Sequence, residues 1–403
     1  MSDTNTLPGL LARNASRWPH RPAWRHKRLG IWQTQNWSAF ARRCDGIAAG
    51  LAAQGFARGD RLAVCGDNRP DLYAALLAAQ SLGGVGVPLD PDAEPARLTE
   101  ILRDARISVA IADSVEQAER LRSVADALPS PPRVFCADTG GLHRHDAWEQ
   151  ASVDALVAGR IQGACPPLAV LGREADQGWP EAGSSKRSVP HDLALLLYAA
   201  APNSHPLALS HAQLLAAAAA IADLDPVRPT DATLCYLPMN CYDDALYSLT
   251  LGLLGGFTCN CPEAPDSVPR DLREIGPTIL FAPPAACAAL AQLVIAKADA
   301  VSGFKRRCFG FFQRQALRAD SLRERGRPMP PGLAILCRIG ELVAYAPLRD
   351  QLGLSKARWV HTGTPLPPDT ARLLRAFGIA LRPATARTAA PGPVRETPET
   401  LHA

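Results

Sequence analysis

The chain has 403 residues, 47% of them hydrophobic and 20% charged, the composition of an ordinary globular protein long enough for two domains. Its 43 basic and 39 acidic residues leave a net charge of only +4, which removes the electrostatic ground for a nucleic-acid partner. Eleven cysteines, odd in number and scattered, read as reduced thiols rather than a disulfide frame. The opening MSDTNTLPGLLARN lacks a basic stretch followed by an apolar core. The most apolar segment, 245–261, is too short and too interrupted by Gly, Ser and Thr to span a bilayer, so a cytoplasmic location is expected.

Residues 37–55 carry apolar positions at helical spacing and end in glycine, a common helix stop. RLAVCGD at 61–67 predicts a short strand, the stretch opening at Asn68, Pro70 and Asp71 a helix, and VGVPLDP at 85–91 a second strand. A helix around PARLTEILRDA and the strand ISVAIAD follow. Short apolar strands alternating with helices predict parallel sheet with helices on its faces. Residues 125–188 break the rhythm with prolines, glycines and charges, including SSKRS at 184–188, and read as a linker, in part disordered. Alternation resumes at 190: LALLLYA, ATLCYLPM, FTCNCP, PTILFAPP and KARWVHTG are predicted strands, and AQLLAAAAAIADL, DDALYSLTLGLLGG and PPDTARLLRAFG predicted helices. The expected domains are therefore 1–188, 189–390 and a frayed tail at 391–403.

Cys235, Cys241, Cys259 and Cys261 form the tightest cysteine group, but their spacings are not those of a zinc knuckle or ribbon. They read as buried thiols, and no metal-ligating set is expected. Cys241 lacks a neighbouring histidine to activate it as a nucleophile.

Three phrases, RGDRLAVCGDNRPDLYAALLAAQSLGGVGVPLDP, the stretch 232–285 and the stretch 348–383, resemble in order and spacing the AMP-forming acyl-CoA synthetase family, above all its bacterial long-chain fatty acid branch. The likeness runs from about residue 7 to about residue 390. It implies the large N-terminal domain of an adenylate-forming synthetase, built of two doubly wound α/β subdomains. It also implies ATP, Mg²⁺ and coenzyme A as co-reactants and a fatty acid as substrate. In the family a loop rich in Gly, Ser and Thr, ending in Pro-Lys-Gly, grips the phosphates, because glycine lets backbone amides approach and lysine adds charge. The resemblance places that loop on Tyr198–His211, with Tyr198, Pro206, Ser210 and His211 at matching positions.

The grip itself is depleted. Ala199, Ala200 and Ala201 stand at the junction, Leu207 replaces the lysine and Ala208 the last glycine. Gly363, Thr364 and Pro365 match the turn that walls the adenine, and the resemblance places that turn near the 198–211 loop and Thr388. Of the family's Tyr-Gly-Leu-Thr-Glu motif only Thr388 remains; Ala389 stands where a carboxylate would ligate Mg²⁺. The family's ribose-binding aspartate and C-terminal catalytic lysine have no counterpart within the 403 residues. No catalytic residue is assigned. The resemblance thus implies an impaired, truncated ligase, with another chain supplying the absent domain, or a non-catalytic protein that binds acyl chains or a partner. A last feature, 303–318, mixes Lys305, Arg306, Arg307 and Arg314 with Phe304, Phe309, Phe311 and Phe312. Such a stretch predicts peripheral contact with the inner membrane face.

Overall fold

The computed structural model describes residues 5–138, 152–158, 188–199, 204–299 and 303–383. Thr388, SSKRS before Ser188 and the tail at 391–403 lie outside the described residues. The chain divides into two compact units, one of Met1–Pro229 and Cys235–Cys261, the other of Thr230–Leu234 and Pro262–Ala389.

The elements up to residue 138 are α1 (Leu7–Arg17), β1 (Pro22–Arg28), β2 (Ile31–Asn36), α2 (Trp37–Ala53), β3 (Arg61–Cys65), α3 (Pro70–Ser81), β4 (Val85–Leu89), α4 (Pro95–Asp104), β5 (Val109–Ser114), α5 (Val115–Ala125) and β6 (Arg133–Asp138). Then come α6 (Val153–Val157), β7 (Leu193–Leu197), β8 (Leu207–Ser210) and α7 (His211–Leu224). After β9 (Ala232–Leu234), which belongs to the second unit, a π-helical segment Asp244–Thr250 runs into α8 (Leu251–Gly255) and then β10 (Thr258–Cys261).

The first unit is built on a six-stranded sheet of order β6-β5-β3-β4-β7-β8, parallel except for the edge strand β8, which runs antiparallel to β7. Continuous apolar runs such as RLAVC suit strands covered on both faces. Helix α3 is apolar nearly all round and is buried from Leu72 to Gln80, as a helix enclosed by other elements must be. At the carboxyl end of β3, Gly66 adopts φ +142°, and a Cβ there would collide with the Asp113 side chain. Beside this sheet, β1 pairs antiparallel with β2 and parallel with β10, and Trp24 stacks on Tyr73 with ring centroids 4.3 Å apart.

The predicted linker contains regular structure. Its segment RVFCAD forms β6, paired in register with β5, and Ser152 caps the short α6. The adjoining Pro131 and Pro132 read as loop signals, although proline suits the approach to a strand as well. Residues 189–210, expected to open the second block, instead extend the first sheet. Gly86 of β4 lacks the side chain that would crowd Leu195, and β7 lies against it. The predicted strand ATLCYLPM is cut to three residues.

The second unit continues with α9 (Val268–Ile275), β11 (Ile279–Phe281), α10 (Pro284–Asp299), α11 (Gly303–Glu324), α12 (Pro331–Gly340), a π-helical segment Glu341–Tyr345, α13 (Ala346–Gln351), β12 (Trp359–Thr362), α14 (Pro368–Ala376) and β13 (Leu381–Pro383). Its parallel sheet has the order β11-β12-β13. Buried Asp231 accepts a hydrogen bond from the Thr278 hydroxyl at 2.8 Å and pairs with Arg358, tying the start of β9 to that sheet. Both units are thus α/β with parallel sheet, as the alternation predicts.

Candidate functional site

Open parallel sheets take ligands beyond the carboxyl ends of their strands. In the first unit that position, at the ends of β4 and β7, holds a cavity of about 320 Å³ whose walls include Pro88, Asp90, Arg97, Ile101, Tyr198 and Asn240. Tyr198 follows β7 directly and is buried; its hydroxyl donates to Asp104 Oδ2 at 2.5 Å. Burial first, and then this bond to Asp104, push the phenol above its ordinary value.

Arg97 braces the start of the loop. Its guanidinium donates to the Ala199 carbonyl at 2.8 Å and to Ser204 Oγ at 3.0 Å, and pairs with Glu100 at 2.8 Å. The same group lies 5.8 Å from the Tyr198 ring centroid. Sequence motifs did not single out Arg97, Asp104 or Asn240. The available signal was the Arg97–Glu100 pair, spaced three apart on one helix face.

The far end of the loop is structural in detail. Leu207 and Pro206 are half-buried, and Leu207 begins β8. The Ser210 hydroxyl accepts from the Gln213 amide at 3.2 Å while Gln213 Oε1 accepts from the Ser210 amide at 2.8 Å, a complete capping box at the start of α7. His211 is fully buried, and its Nδ1 accepts from the Leu7 amide at 3.3 Å. Burial lowers its pKa to about 4, opposed in part by Asp192, so the imidazole is neutral at pH 7.

Cys241 is similarly occupied: its Sγ accepts from the Asp244 amide at 3.4 Å, and burial pushes the thiol up to about 12. That is no nucleophile at neutral pH. Asp244 is buried at the head of the π-helical segment, with the Tyr73 hydroxyl 2.9 Å from both its oxygens and Asn68 Nδ2 at 3.2 Å. Burial raises its pKa well above the usual carboxylate range.

In the second unit, Gly363, Thr364 and Pro365 follow the carboxyl end of β12. Gly363 is half-buried, whereas Thr364 and Pro365 are exposed. The wall-like turn is therefore present at a sheet end, while Thr388 lies outside the described residues. Among the described residues of the 198–211 junction, the groups present do not fit a triphosphate. The loop-facing guanidinium is committed to a carbonyl, a hydroxyl and Glu100, the serine caps a helix, the histidine is neutral and buried, and an apolar side chain stands at the lysine position.

A strand–loop–helix junction at the edge of a parallel sheet, followed by a second α/β unit with its own strand-end turn, defines a large two-unit α/β protein. The sequence pattern of the AMP-binding enzyme family matches residues 11–384, and the chain belongs to that family. It is similar to the medium/long-chain-fatty-acid–[acyl-carrier-protein] ligase FadD10 of Mycobacterium tuberculosis, with 33% identity over 142 residues, 34% of this chain and 25% of that protein. Among solved structures, VinN with L-aspartate superposes with TM-score 0.61 and 20% identity, covering 94% of this chain and 74% of VinN. The inhibitor-bound N-terminal domain of FACL13 from Mycobacterium tuberculosis gives the same score and identity, covering 94% and 75%. These likenesses establish the fold of the adenylate-forming N-terminal domain. The chain spans about a quarter of FadD10's length.

Proposed function

We propose that this chain derives from a ligase that activates fatty acids as acyl-adenylates for transfer to coenzyme A or an acyl carrier protein, and that it binds ATP–Mg²⁺ too weakly to sustain that reaction by itself. The observation that carries this is Leu207, an apolar residue in β8 at the position of the family's phosphate-binding lysine. Tyr198, Pro206, Ser210 and His211 in the first unit, and Gly363, Thr364 and Pro365 in the second, are each the remnant of a nucleotide contact. The lost lysine and the lost Mg²⁺ carboxylate at Ala389 each remove a charge-assisted contact of about 1.5–3 kcal/mol. Together they lower ATP–Mg²⁺ affinity by about a hundredfold or more.

A second role, non-catalytic binding of an acyl chain or partner, is favoured by the commitment of Arg97 and Ser210 to internal hydrogen bonds. Calorimetry with ATP–Mg²⁺, joined to a pyrophosphate-release assay over medium- and long-chain fatty acids, tests the first reading, and calorimetry with the fatty acids alone tests the second. We expect no turnover and no tight ATP binding, with Leu207→Lys strengthening ATP binding measurably. Tight ATP binding with steady pyrophosphate release by the native chain overturns the proposal and leaves a working ligase.

A further inference from the structure

Part of the aromatic surface of the basic, Phe-containing stretch at 303–318 is turned inward. Phe309 stacks on Phe377 with centroids 5.5 Å apart, and the Phe312 carbonyl accepts from the Tyr345 hydroxyl at 2.6 Å. Among the described side chains of α11, Arg307, Phe311, Arg314 and Arg318 are exposed and spaced i, i+4, i+7, i+11 along one helix face.

The larger apolar surface lies on the next helical run. Pro331–Gln351 is long and apolar enough by length and composition to cross a membrane. Its two faces differ, however. Leu333, Gly340, Ala344, Tyr345 and Leu348 are buried, and Arg349 donates to the Phe377 carbonyl at 2.7 Å, so one side is fixed to the unit. The other side presents Ile335 at 60% exposure, Ile339 at 44%, Leu342 at 78% and Val343 at 60%. These positions repeat as i, i+4, i+7, i+8, the apolar stripe of an amphipathic helix, here turned outward. Folding alone gives no reason to place four large aliphatic side chains in water together.

The surrounding charge selects the occupant. Arg314, Arg318, Arg325, Arg327 and Arg338 are exposed and make no side-chain ion pair among the described residues. They sit on α11, on the turn joining the two helices and within α12 itself. Glu341, on the same run, is paired with Arg349. Exposed aliphatic side chains together with exposed arginines on the same helix, its preceding turn and the neighbouring helix match the two halves of a lipid surface, acyl chains below and phosphates above.

We propose that the helix pair 303–351 docks on an anionic lipid bilayer, with Ile335, Ile339, Leu342 and Val343 entering the headgroup–acyl boundary and the arginines lying against lipid phosphates. A run anchored along one side lies in the interface plane and does not span. This surface is independent of whether the chain retains any ligase activity.

The test is cosedimentation of the full chain with phosphatidylcholine vesicles, with and without about one third phosphatidylglycerol, across salt concentrations. We expect binding to the anionic vesicles only, weakened by salt. Ile335→Glu combined with Leu342→Glu should reduce it at least tenfold, and Arg325→Ser with Arg327→Ser and Arg338→Ser should weaken it and flatten its salt dependence. All five positions are exposed, and unchanged circular dichroism and melting verify the fold of each variant. Failure to bind anionic vesicles, equal binding to neutral ones, or variants that bind like the native chain overturns the proposal. So does a native dimer that the glutamate pair dissociates, since a second copy would then cover this face.

Discussion

Acidification should destabilise the first unit through His211. The side chain is fully buried with Nδ1 accepting from the Leu7 amide, and burial sets its pKa at about 4 against an ordinary 6.5. The unfolded chain therefore binds a proton on this residue at a pH where the folded chain does not. Stability tied to the neutral imidazole is complete above pH 6.5 and is lost as pH falls from 6.5 toward 4. The interval of about 2.5 pH units, at 1.36 kcal/mol each, gives a loss of about 3 kcal/mol. Trp18, Trp24, Trp32 and Trp37 lie in the first unit and Trp359 in the second, so urea denaturation followed by the tryptophan fluorescence of a Trp359→Phe background reports the first unit. Other groups titrate in the same range, so the informative quantity is the difference between the native chain and His211→Gln, whose amide oxygen can still accept from Leu7. Between pH 7.5 and 4.5 the native chain should lose about 2–3 kcal/mol more than the variant. Parallel losses across that range would refute the assignment of a neutral, proton-excluding His211.

Asp45 provides the opposite slope. Burial raises its pKa from 3.8 to about 6, so its charged form strains the fold above pH 6, and Asp45→Asn should stabilise the protein by about 2 kcal/mol at pH 7.5 and by nothing at pH 4. Denaturation midpoints at those two values check it, and an equal shift at both would point to packing instead. Gly66→Ala should cost at least about 2 kcal/mol, because φ +142° excludes a Cβ and Asp113 occupies its place. Asp113→Ala should not restore its melting temperature, since the Cβ of residue 113, 2.4 Å from the added Cβ, stays in place and so does the backbone strain.

Much of the sheet was legible because burial writes itself into short apolar runs. RLAVC, VGVPL and VAIADS became β3, β4 and β5 in parallel register. Which sheet a strand joins was not legible in the same way. LALLL has the composition of any buried strand, and nothing in it announces that it lies beside β4, where Gly86 leaves room for Leu76 and Leu195. The junction shows the same limit in its polar residues. Ser210 matches a phosphate contact by position, yet its hydroxyl caps α7; the Ser-x-x-Gln spacing to Gln213 carried that alternative in the sequence. For His211 no local pattern announces burial, because the partner amide at Leu7 is 204 residues away. Phe309 and Phe311 are two residues apart, and only the packing of Phe377 shows which of them faces inward.

On the proposed reading, these contacts also account for a phosphate-binding frame outlasting its donors. The 198–211 junction is held by Tyr198 on Asp104, by Arg97 on Ala199 and Ser204, by the Ser210–Gln213 box and by His211 on the Leu7 amide. None of these bonds needs a ligand, so on the proposed reading an exchange of glycine and lysine for alanine and leucine would remove affinity without removing the scaffold. Alanine in place of glycine also narrows the unfolded ensemble wherever the backbone tolerates it, which favours the fold by a few tenths to about 1 kcal/mol per site. The same bonds make recovery harder than one substitution. Leu207→Lys returns a charge, but Arg97 must still release the Ala199 carbonyl before its guanidinium can face a phosphate, and that release also breaks its bonds to Ser204 and Glu100. The gain in ATP affinity from Leu207→Lys should therefore fall short of the full contact energy of a lysine in an intact loop.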